Sequence, residues 1–592
     1  MDDTADAPPA TPAPLSSSGY VGRALWRPRD ETLVAGGGRF VGDLHAPGML
    51  EAHFVRSDLA HARIVRVDAS PARAVPGVVA AYAATDLPGL PAVPRSPRST
   101  APAAMDRPSL ATDRVRFAGE PVAVVLADDR YAAEDGAAEV ILDLDPLPAL
   151  SDPARAMAPG APELFDGLGN LAATAEHGTG VDDVLAVAPL VVEAVAVSPR
   201  LAPMSIEPRA ILVVPLADGG VHVWCSHQAP HRLQASLCAA FGLPPERIRV
   251  TAPDVGGAFG GKSQTYPEYL VVMDLARRHD RPVRWLEDRR ESLIAASHGR
   301  AQTARVRLAA DTEGRILALD AELDADVGAY PNDGEFLSAM TAWVISGPYL
   351  IPRVHVRRRS ILTTTAPVAS YRGAGRPEAA YALERAVDDL ARRAGLDPIE
   401  VRRRNFIPAD AFPYHSPTGA VYDSGRYEPA LLQAAELAGY PAWRAEQRRR
   451  RAAGAGPLLG IGVASWIERS GGEGGSSEYA RVEVLRNGIV VGRVGSSPQG
   501  QGHEITFGQV LADAVGVDID AVQIRFGDTG QVAHGTGTFG SRSMQVGGSA
   551  LYRAGTAVRA EARSRAAAVL GRRPEELVQS GEGFAPADGG SA

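Results

Sequence analysis

Two segments far apart in the chain carry the residues best suited to hold an anionic or strongly polar ligand. In Asp254-Val255-Gly256-Gly257-Ala258-Phe259-Gly260-Gly261-Lys262-Ser263, four glycines surround one aromatic. Such a loop leaves a run of backbone N–H groups uncovered for an oxyanion. Gly256 through Ser263 also satisfies the G-x-x-x-x-G-K-[ST] pattern of a phosphate loop, with a strand-like run over 247–250 before it and a helix-like stretch after it. Near the other end, Gly535-Thr536-Gly537-Thr538-Phe539-Gly540-Ser541-Arg542-Ser543 has the same internal logic.

Each of the two closes the same series of features. Ser226-His227-Gln228-Ala229-Pro230-His231 leads into a helix-like stretch ending at Phe241-Gly242, then a short strand and Asp254. Gln499-Gly500-Gln501-Gly502-His503-Glu504 leads into a stretch ending at Val515-Gly516, then a strand-like run over 522–526 and Asp528. This divergent repeat predicts two similar domains whose Phe-Gly loops converge on one extended ligand, which a phosphate-loop enzyme does not require. Taken singly, either loop also reads as an ordinary glycine turn.

A third glycine-bearing turn, Ser370-Tyr371-Arg372-Gly373-Ala374-Gly375-Arg376, opens the clearest helix in the sequence. Pro377 suits its first turn, Leu383, Val387 and Leu390 mark its apolar face, and Gly395 is placed to stop it. An arginine there can aim a planar, permanently charged donor set at an oxyanion. The alternative is a loop-closing salt bridge.

The elements that position these loops follow from length and composition. At 592 residues the chain has room for about four domains or domain-sized layers. Its 61 Lys+Arg against 70 Asp+Glu leave a net charge of −9, without the footprint of a nucleic-acid binder; the run Arg448 to Arg451 reads as a solvated helix face. Cys225 and Cys238 are the two cysteines, too few and too far apart to ligate an iron–sulfur cluster. No apolar run approaches a membrane span and Met1-Asp2-Asp3 does not open a signal peptide, so a soluble cytoplasmic protein is expected.

Residues 1–18 read as a disordered Pro/Ala/Ser/Thr-rich tail. From 19 to 150, strands over 49–55, 62–67 and 121–126 and a helix over 130–139 predict a compact α+β domain, with 91–108 as a surface loop. The stretch 152–160 reads as a linker to a larger mixed domain.

Ten motifs then occur in a recognisable order. Gly22-Arg23, Gly42-Asp43-Leu44, His61-Ala62-Arg63-Ile64, Gly119-Glu120-Pro121-Val122-Ala123, Glu207-Pro208-Arg209, the 254–262 loop, the 371–379 turn, Arg403-Arg404-Asn405, 499–504 and 537–543 resemble the molybdenum-binding large subunit of the xanthine dehydrogenase/aldehyde oxidase family. The Arg372-Gly373-Ala374-Gly375-Arg376 version is most similar to its carbon-monoxide-dehydrogenase-like subgroup. The resemblance covers nearly everything from residue 19 onward. It implies an α+β fold: a hammerhead-like α+β domain over 19–150, then two related mixed α/β molybdopterin-binding domains over 151–420 and 421–592, the second truncated.

The resemblance also implies roles. Gln228 matches a glutamine whose amide lies beside a molybdenum oxo group. Gly257, Phe259 and Gly260 match positions where the backbone meets the cofactor, and Arg372 an arginine that stabilises negative charge on substrate. Gln501, Gly502 and His503, with Gly540, Ser541, Arg542 and Ser543, match contacts to the pterin and its dinucleotide tail, in the cytosine form. The pterin dithiolene holds the metal, so no side chain ligates it. The activity implied is oxidative hydroxylation of an aldehyde or N-heterocycle with water as oxygen source. Electrons pass to a separate small [2Fe–2S] subunit and a medium FAD subunit, because this chain has no cysteine set or dinucleotide fingerprint for either group.

Three departures shape the expectation. The carbon-monoxide-oxidising subtype follows the loop arginine with a copper-carrying cysteine, and this chain has Gly373. Purine-oxidising relatives often place a glutamate after Gly-Gly-Lys, and this chain has Ser263. The family's Gly-Val-Gly-Glu motif, whose glutamate is the general base, does not occur before Ala592, and Gly581-Glu582-Gly583 is no substitute. The sequence alone therefore predicts a chain inactive by itself, as a fragment, a split subunit that needs a separate C-terminal segment, or a non-catalytic scaffold, with a phosphate-loop nucleotidase as the remaining alternative.

Overall fold

Pro121–Ala127 reads PVAVVLA and all seven residues are buried, as a strand covered on both faces must be. In the computed structural model of the chain, which describes residues 19–27, 29–454, 456–471, 477–581 and 583–589, this strand lies between Leu50–Arg56 and Val78–Ala83, antiparallel to both. Leu50–Arg56 then pairs in parallel with Val283–Leu286, and the sheet continues through Ala210–Pro215 and Val221–Cys225 to Ile248–Thr251, seven strands in all. The segment 19–150, read as a domain of its own, thus shares its main sheet with 210–286. The apolar helix Pro267–His279 packs on this sheet and buries every residue from Pro267 to Ala276.

A second, five-stranded sheet runs Leu171–Gly178, Arg353–Leu362, Ile316–Gly328, Gln302–Ala310, Leu190–Ser198. The helix Arg376–Ala394 lies on it with Leu383, Val387 and Leu390 buried, and ends on left-handed Gly395 (φ 68°), the stop expected from the sequence.

The internal repeat is present as structure. In the first copy Ala210–Pro215 and Val221–Cys225 pair antiparallel, the helix Pro230–Phe241 follows, and Ile248–Thr251 returns parallel to Val221–Cys225. In the second, Ala480–Val484 and Val490–Val494 pair antiparallel, the helix His503–Val515 follows, and Val522–Arg525 returns parallel to Val490–Val494. The copies meet where the Ala252 N–H donates to the Gly527 carbonyl (2.7 Å) and Arg249 grips Asp528.

An N-terminal strap holds the copies together. The N–H groups of Tyr20 and Val21 donate to Asp513 (2.7 and 2.9 Å), the Gln509 amide donates to the carbonyls of Tyr20 and Arg23, and Arg29 with the Arg39 N–H binds Asp254.

Two readings need correction. The segment 91–108 is not a free surface loop: Val93, Ala101, Met105 and Arg107 are buried, because its hydroxyls and N–H groups are the partners of Glu335. The stretch 152–160 contains the helix Pro153–Ala156, capped by Asp152, whose Ala156 packs in a core with Phe117, Leu150 and Leu164. The proposed tail 1–18 and Glu582 lie outside the described residues. Among the described residues no helix is long and apolar enough to cross a membrane.

Candidate active site

Gln228 sits in the short passage between Val221–Cys225 and the helix Pro230–Phe241, whose proline pre-sets the first helical φ. Its side chain, nearly fully buried, joins the two Phe-Gly loops. Oε1 accepts the Gly260 N–H of the first loop (2.9 Å) and Nε2 donates to the Thr538 carbonyl of the second (2.9 Å). The Thr538 N–H returns to the Gln228 carbonyl (3.0 Å). An amide –NH2 has two protons, and the second Nε2–H has no partner among the described residues.

The first loop is less open than its glycines predict. The N–H groups of Gly256, Gly257, Gly260, Gly261 and Ser263 are all bonded within the protein. The glycines serve close packing of protein on protein instead: a Cβ at Gly260 would run into the Ser370 carbonyl, and one at Gly256 would sit 2.6 Å from the Glu207 Cβ. Phe259 adopts a left-handed backbone (φ 53°) with its side chain 45% exposed, a strained state that bulky residues rarely hold. The phosphate-loop reading fails here. Lys262 is buried and ion-paired to Glu207 (2.8 Å), and the Ser263 hydroxyl donates back to the Gly260 carbonyl (2.7 Å).

Arg372 meets this loop directly, its N–H donating to the Phe259 carbonyl (2.9 Å) while Arg300 braces its own carbonyl. The arginines on either side have carboxylates: Arg300 lies 3.6 Å from Glu378 and Arg376 forks onto Glu468. The Arg372 guanidinium is exposed and has no ion-pair partner among the described residues.

The second loop is held from behind by Glu478, which the sequence did not single out. Its fully buried carboxylate accepts from Arg542 (2.6 Å), the Thr536 N–H (3.0 Å) and the Ser496 hydroxyl (3.0 Å). Arg542 therefore points inward and braces the loop. Ser541 (φ 56°) binds Glu468, and Gly540 is exposed beside it. The Ser543 hydroxyl lies 3.2 Å from that of Thr538. Glu468 and Glu478 flank the glycine-rich stretch 471–475, the one local signal that could have drawn attention to them.

In the 499–504 turn, the side chains of Gln499 and Gln501 bond each other and Gly502 caps the helix in a left-handed state (φ 73°). Burial pushes His503 down to about 4, so it is neutral, with its ring 4.7 Å from that of Phe507. The His503 Nδ1, the Ser497 Oγ and one Glu504 carboxylate oxygen are buried without a partner. Orphaned polar atoms of this kind call for a ligand or ordered water, and a set of neutral and acceptor atoms suits a pterin edge.

Behind the first loop a closed set of charges fixes the scaffold. Arg209 pairs with Glu287 and Glu268, and Arg56 with Glu268 and Glu291. Burial works to raise Glu268, yet Arg209, Arg56 and Arg107 outweigh it and hold the carboxyl at about 2. Burial also holds His227 at about 4. As a neutral ring its Nδ1 accepts the Ala229 N–H (3.0 Å) and its Nε2–H faces the Gln264 carbonyl, which sets the backbone on either side of Gln228.

Two paired loops around a bridging glutamine, with orphaned polar atoms at a neighbouring helix start, make a candidate cofactor-binding site. Family models agree: residues 165–406 and 433–591 each match a molybdopterin cofactor-binding domain, and 35–148 the a/b hammerhead domain of aldehyde oxidase and xanthine dehydrogenase. The chain is 35% identical to the carbon monoxide dehydrogenase large chain of Hydrogenophaga pseudoflava, over 91% of this chain and 71% of that one. It is 33% identical to the nicotine 6-hydroxylase large subunit of Paenarthrobacter nicotinovorans, over 97% and 72%. Among solved structures it superposes on quinoline 2-oxidoreductase from Pseudomonas putida 86 with a TM-score of 0.91 at 31% identity, over 96% of this chain and 74% of that one. The chain belongs to the molybdenum-binding large subunits of the xanthine dehydrogenase/aldehyde oxidase family, which are molybdopterin-dependent oxidoreductases.

Proposed function

We propose that this chain is the large subunit of a cytoplasmic molybdenum hydroxylase acting on an aldehyde or N-heterocycle, with the cofactor in its cytosine dinucleotide form. The observation that carries the reading is the Gln228 bridge, which brings both loops and the unpaired Arg372 to one place. When bound, the cofactor supplies the two-electron oxidation and the site at which water oxygen is delivered. The residues of the chain do the rest. Gln228 offers its remaining amide proton as a neutral donor, Arg372 offers a permanent charge to oxygen that becomes negative on the substrate, and Phe259 presents an aromatic face.

Gln501, Gly502 and His503, with the orphaned atoms around them, would hold the pterin. Gly257, Gly540, Ser541 and Ser543 would meet the dinucleotide mainly through backbone and hydroxyl groups, because Arg542 is already committed to Glu478. Electrons would leave to a small [2Fe–2S] and a medium FAD subunit, since the chain's thiols are the buried Cys225 and the half-buried Cys238. The test is metal and pterin analysis of the purified complex together with calorimetry against ATP. Molybdenum with a cytosine-containing pterin and no ATP binding is expected. Micromolar ATP binding lost in Lys262→Ala, without molybdenum, would overturn the reading.

A further inference from the structure

The turn that carries Arg372 rests on a stretch of strained backbone. Arg300 (φ 63°) and Ala301 (φ 61°) are consecutive non-glycine residues in the left-handed region, a state that side chains disfavour and that persists where the surroundings dictate it. Here they do. The Gly299 N–H donates to the Leu201 carbonyl (2.8 Å) and the Leu201 N–H returns to Gly299 (3.1 Å). The His298 carbonyl accepts the Ala369 N–H (2.8 Å) and the Ala301 carbonyl the Asp326 N–H (2.9 Å). A Cβ at Gly299 would run into that of Tyr371, so the stretch lies directly against the 370–376 turn.

From that stretch the Arg300 guanidinium forks onto the turn. Nη2 donates to the Arg372 carbonyl (2.5 Å) and Nη1 to the Tyr371 carbonyl (3.4 Å), with Cζ 4.9 Å from the centre of the Tyr371 ring. A planar fork spans two successive carbonyls in a way that the single point charge of a lysine does not reproduce. Nη1 also lies 3.6 Å from Glu378, an acid nearly fully buried in the first turn of the helix Arg376–Ala394, whose two carboxylate oxygens have no hydrogen-bond partner. Burial pushes the Glu378 carboxyl up, and the Arg300 charge works against that. Arg372 is itself held at two points. Its N–H donates to the Phe259 carbonyl and its own carbonyl accepts from Arg300, while its side chain has no hydrogen bond or ion pair among the described residues. Each peptide unit is planar, so a pin on the N–H before the Arg372 Cα and another on the carbonyl after it fix the direction of its Cβ. Arg300 is the second of those pins.

We propose, on the reading that Arg372 acts on the substrate, that Arg300 is its positioning residue: the fork across the Tyr371 and Arg372 carbonyls sets the direction in which the Arg372 side chain leaves the turn, and buried Glu378 holds the fork in place. Arg300 works through Arg372 alone. Glu378 supplies the countercharge that lets a guanidinium only 13% exposed stay beside the turn.

The test uses R300M, R300M/E378Q, R372M and R300M/E378Q/R372M in the assembled complex, with benzaldehyde oxidation at fixed molybdenum content and hydrogen–deuterium exchange of the Arg372 and Ala374 amides as readouts. R300M leaves Glu378 as an unpaired buried acid and should lower the melting temperature; E378Q removes that acid and should restore most of it. A purely structural role would restore kcat with it. We expect instead that R300M/E378Q keeps a kcat about tenfold or more below native with KM changed less than about twofold, and that the two amides exchange about tenfold faster while those inside the helix Arg376–Ala394 do not. Added to R372M, the same two substitutions should change kcat less than about twofold, because the side chain they aim is gone. Native kcat or native exchange in R300M/E378Q, or an undiminished further loss in the R372M background, would overturn the proposal. Faster exchange in the variant with no benzaldehyde oxidation by the native complex would leave Arg300 as the brace of the turn and count against the reaction. Oxidation with exchange and kcat unchanged in the variant would do the reverse.

Discussion

At the scale of single residues, Gln228 is the part most open to test, because three of its groups join segments about 280 to 310 positions apart. Gln228→Ala leaves the Gly260 N–H and the Thr538 carbonyl unsatisfied, at a cost of about 1–3 kcal/mol. Its lost donor should lower kcat about 10²-fold or more, as steady-state kinetics at fixed molybdenum content would show. Arg372→Met should lower kcat similarly with little change in thermal stability, since its exposed guanidinium makes no hydrogen bond or ion pair among the described residues. Gly373 carries a second prediction. Its φ of 99° and the Pro377 ring, whose Cδ would lie 2.6 Å from a Cβ, leave no space for a side chain. Carbon monoxide should not be oxidised by the complex, and G373C should destabilise the turn without conferring that activity; copper-dependent turnover of carbon monoxide by either form would show that the turn has been misread. Gln228, Arg372, Gly373 and Glu207 stood in motifs legible in the sequence, whereas Glu478 and Glu468 did not, because a buried acid that holds a loop has no sequence pattern of its own.

At the scale of elements, the repeat was legible because each copy repeats one order of strand, polar turn, helix, strand and glycine loop, and local periodicity reports such elements well. The openness of the first loop was misjudged for a physical reason. Glycine permits close approach of any backbone, and here the approaching groups are Ser370 and Glu207, which sequence distance hides. The same property makes the joint between the loops fragile. At Gly537 (φ 107°) a Cβ would lie 2.8 Å from the Ala229 Cα and 2.9 Å from the Gln228 carbonyl oxygen. Gly537→Ala should therefore push the second loop off the first, lower the melting temperature and reduce bound molybdenum per chain. A control at exposed Gly488, where a Cβ meets nothing within 4 Å, should change molybdenum content little; equal losses at both sites would argue against a joint at Gly537.

At the scale of the whole molecule, the strap and the shared seven-stranded sheet make one body of segments that read as separate in sequence. Parallel pairing of Leu50 with Val283 cannot be inferred from either strand alone. Buried ionisable groups then couple stability to pH. His222, His227 and His503 are held at about 4, below the ordinary histidine value of 6.5, and Glu268 at about 2, below 4.5. In each case the unfolded chain binds the proton first, so stability is full above the unfolded value and falls as pH drops through the window. The melting temperature should decline from pH 7 toward pH 4 through the histidines, with a loss of stability on the order of 1–3 kcal/mol each for the well-buried His227 and His503 and less for the partly solvent-screened His222, and again below pH 4.5 through Glu268. A flat profile between pH 7 and 4.5 would contradict these assignments. The strap has one more consequence, which concerns time. Tyr20 is bonded to Asp513, 493 positions later, so at roughly 5–20 residues per second a ribosome needs about 25–100 s to make the partner after the strap has emerged. During the second half of that interval the first loop exists without the second, and the Tyr20 end of the strap waits without its partner. A cofactor that needs both loops can be captured only once that wait is over, which makes its insertion a late event in the life of the nascent chain.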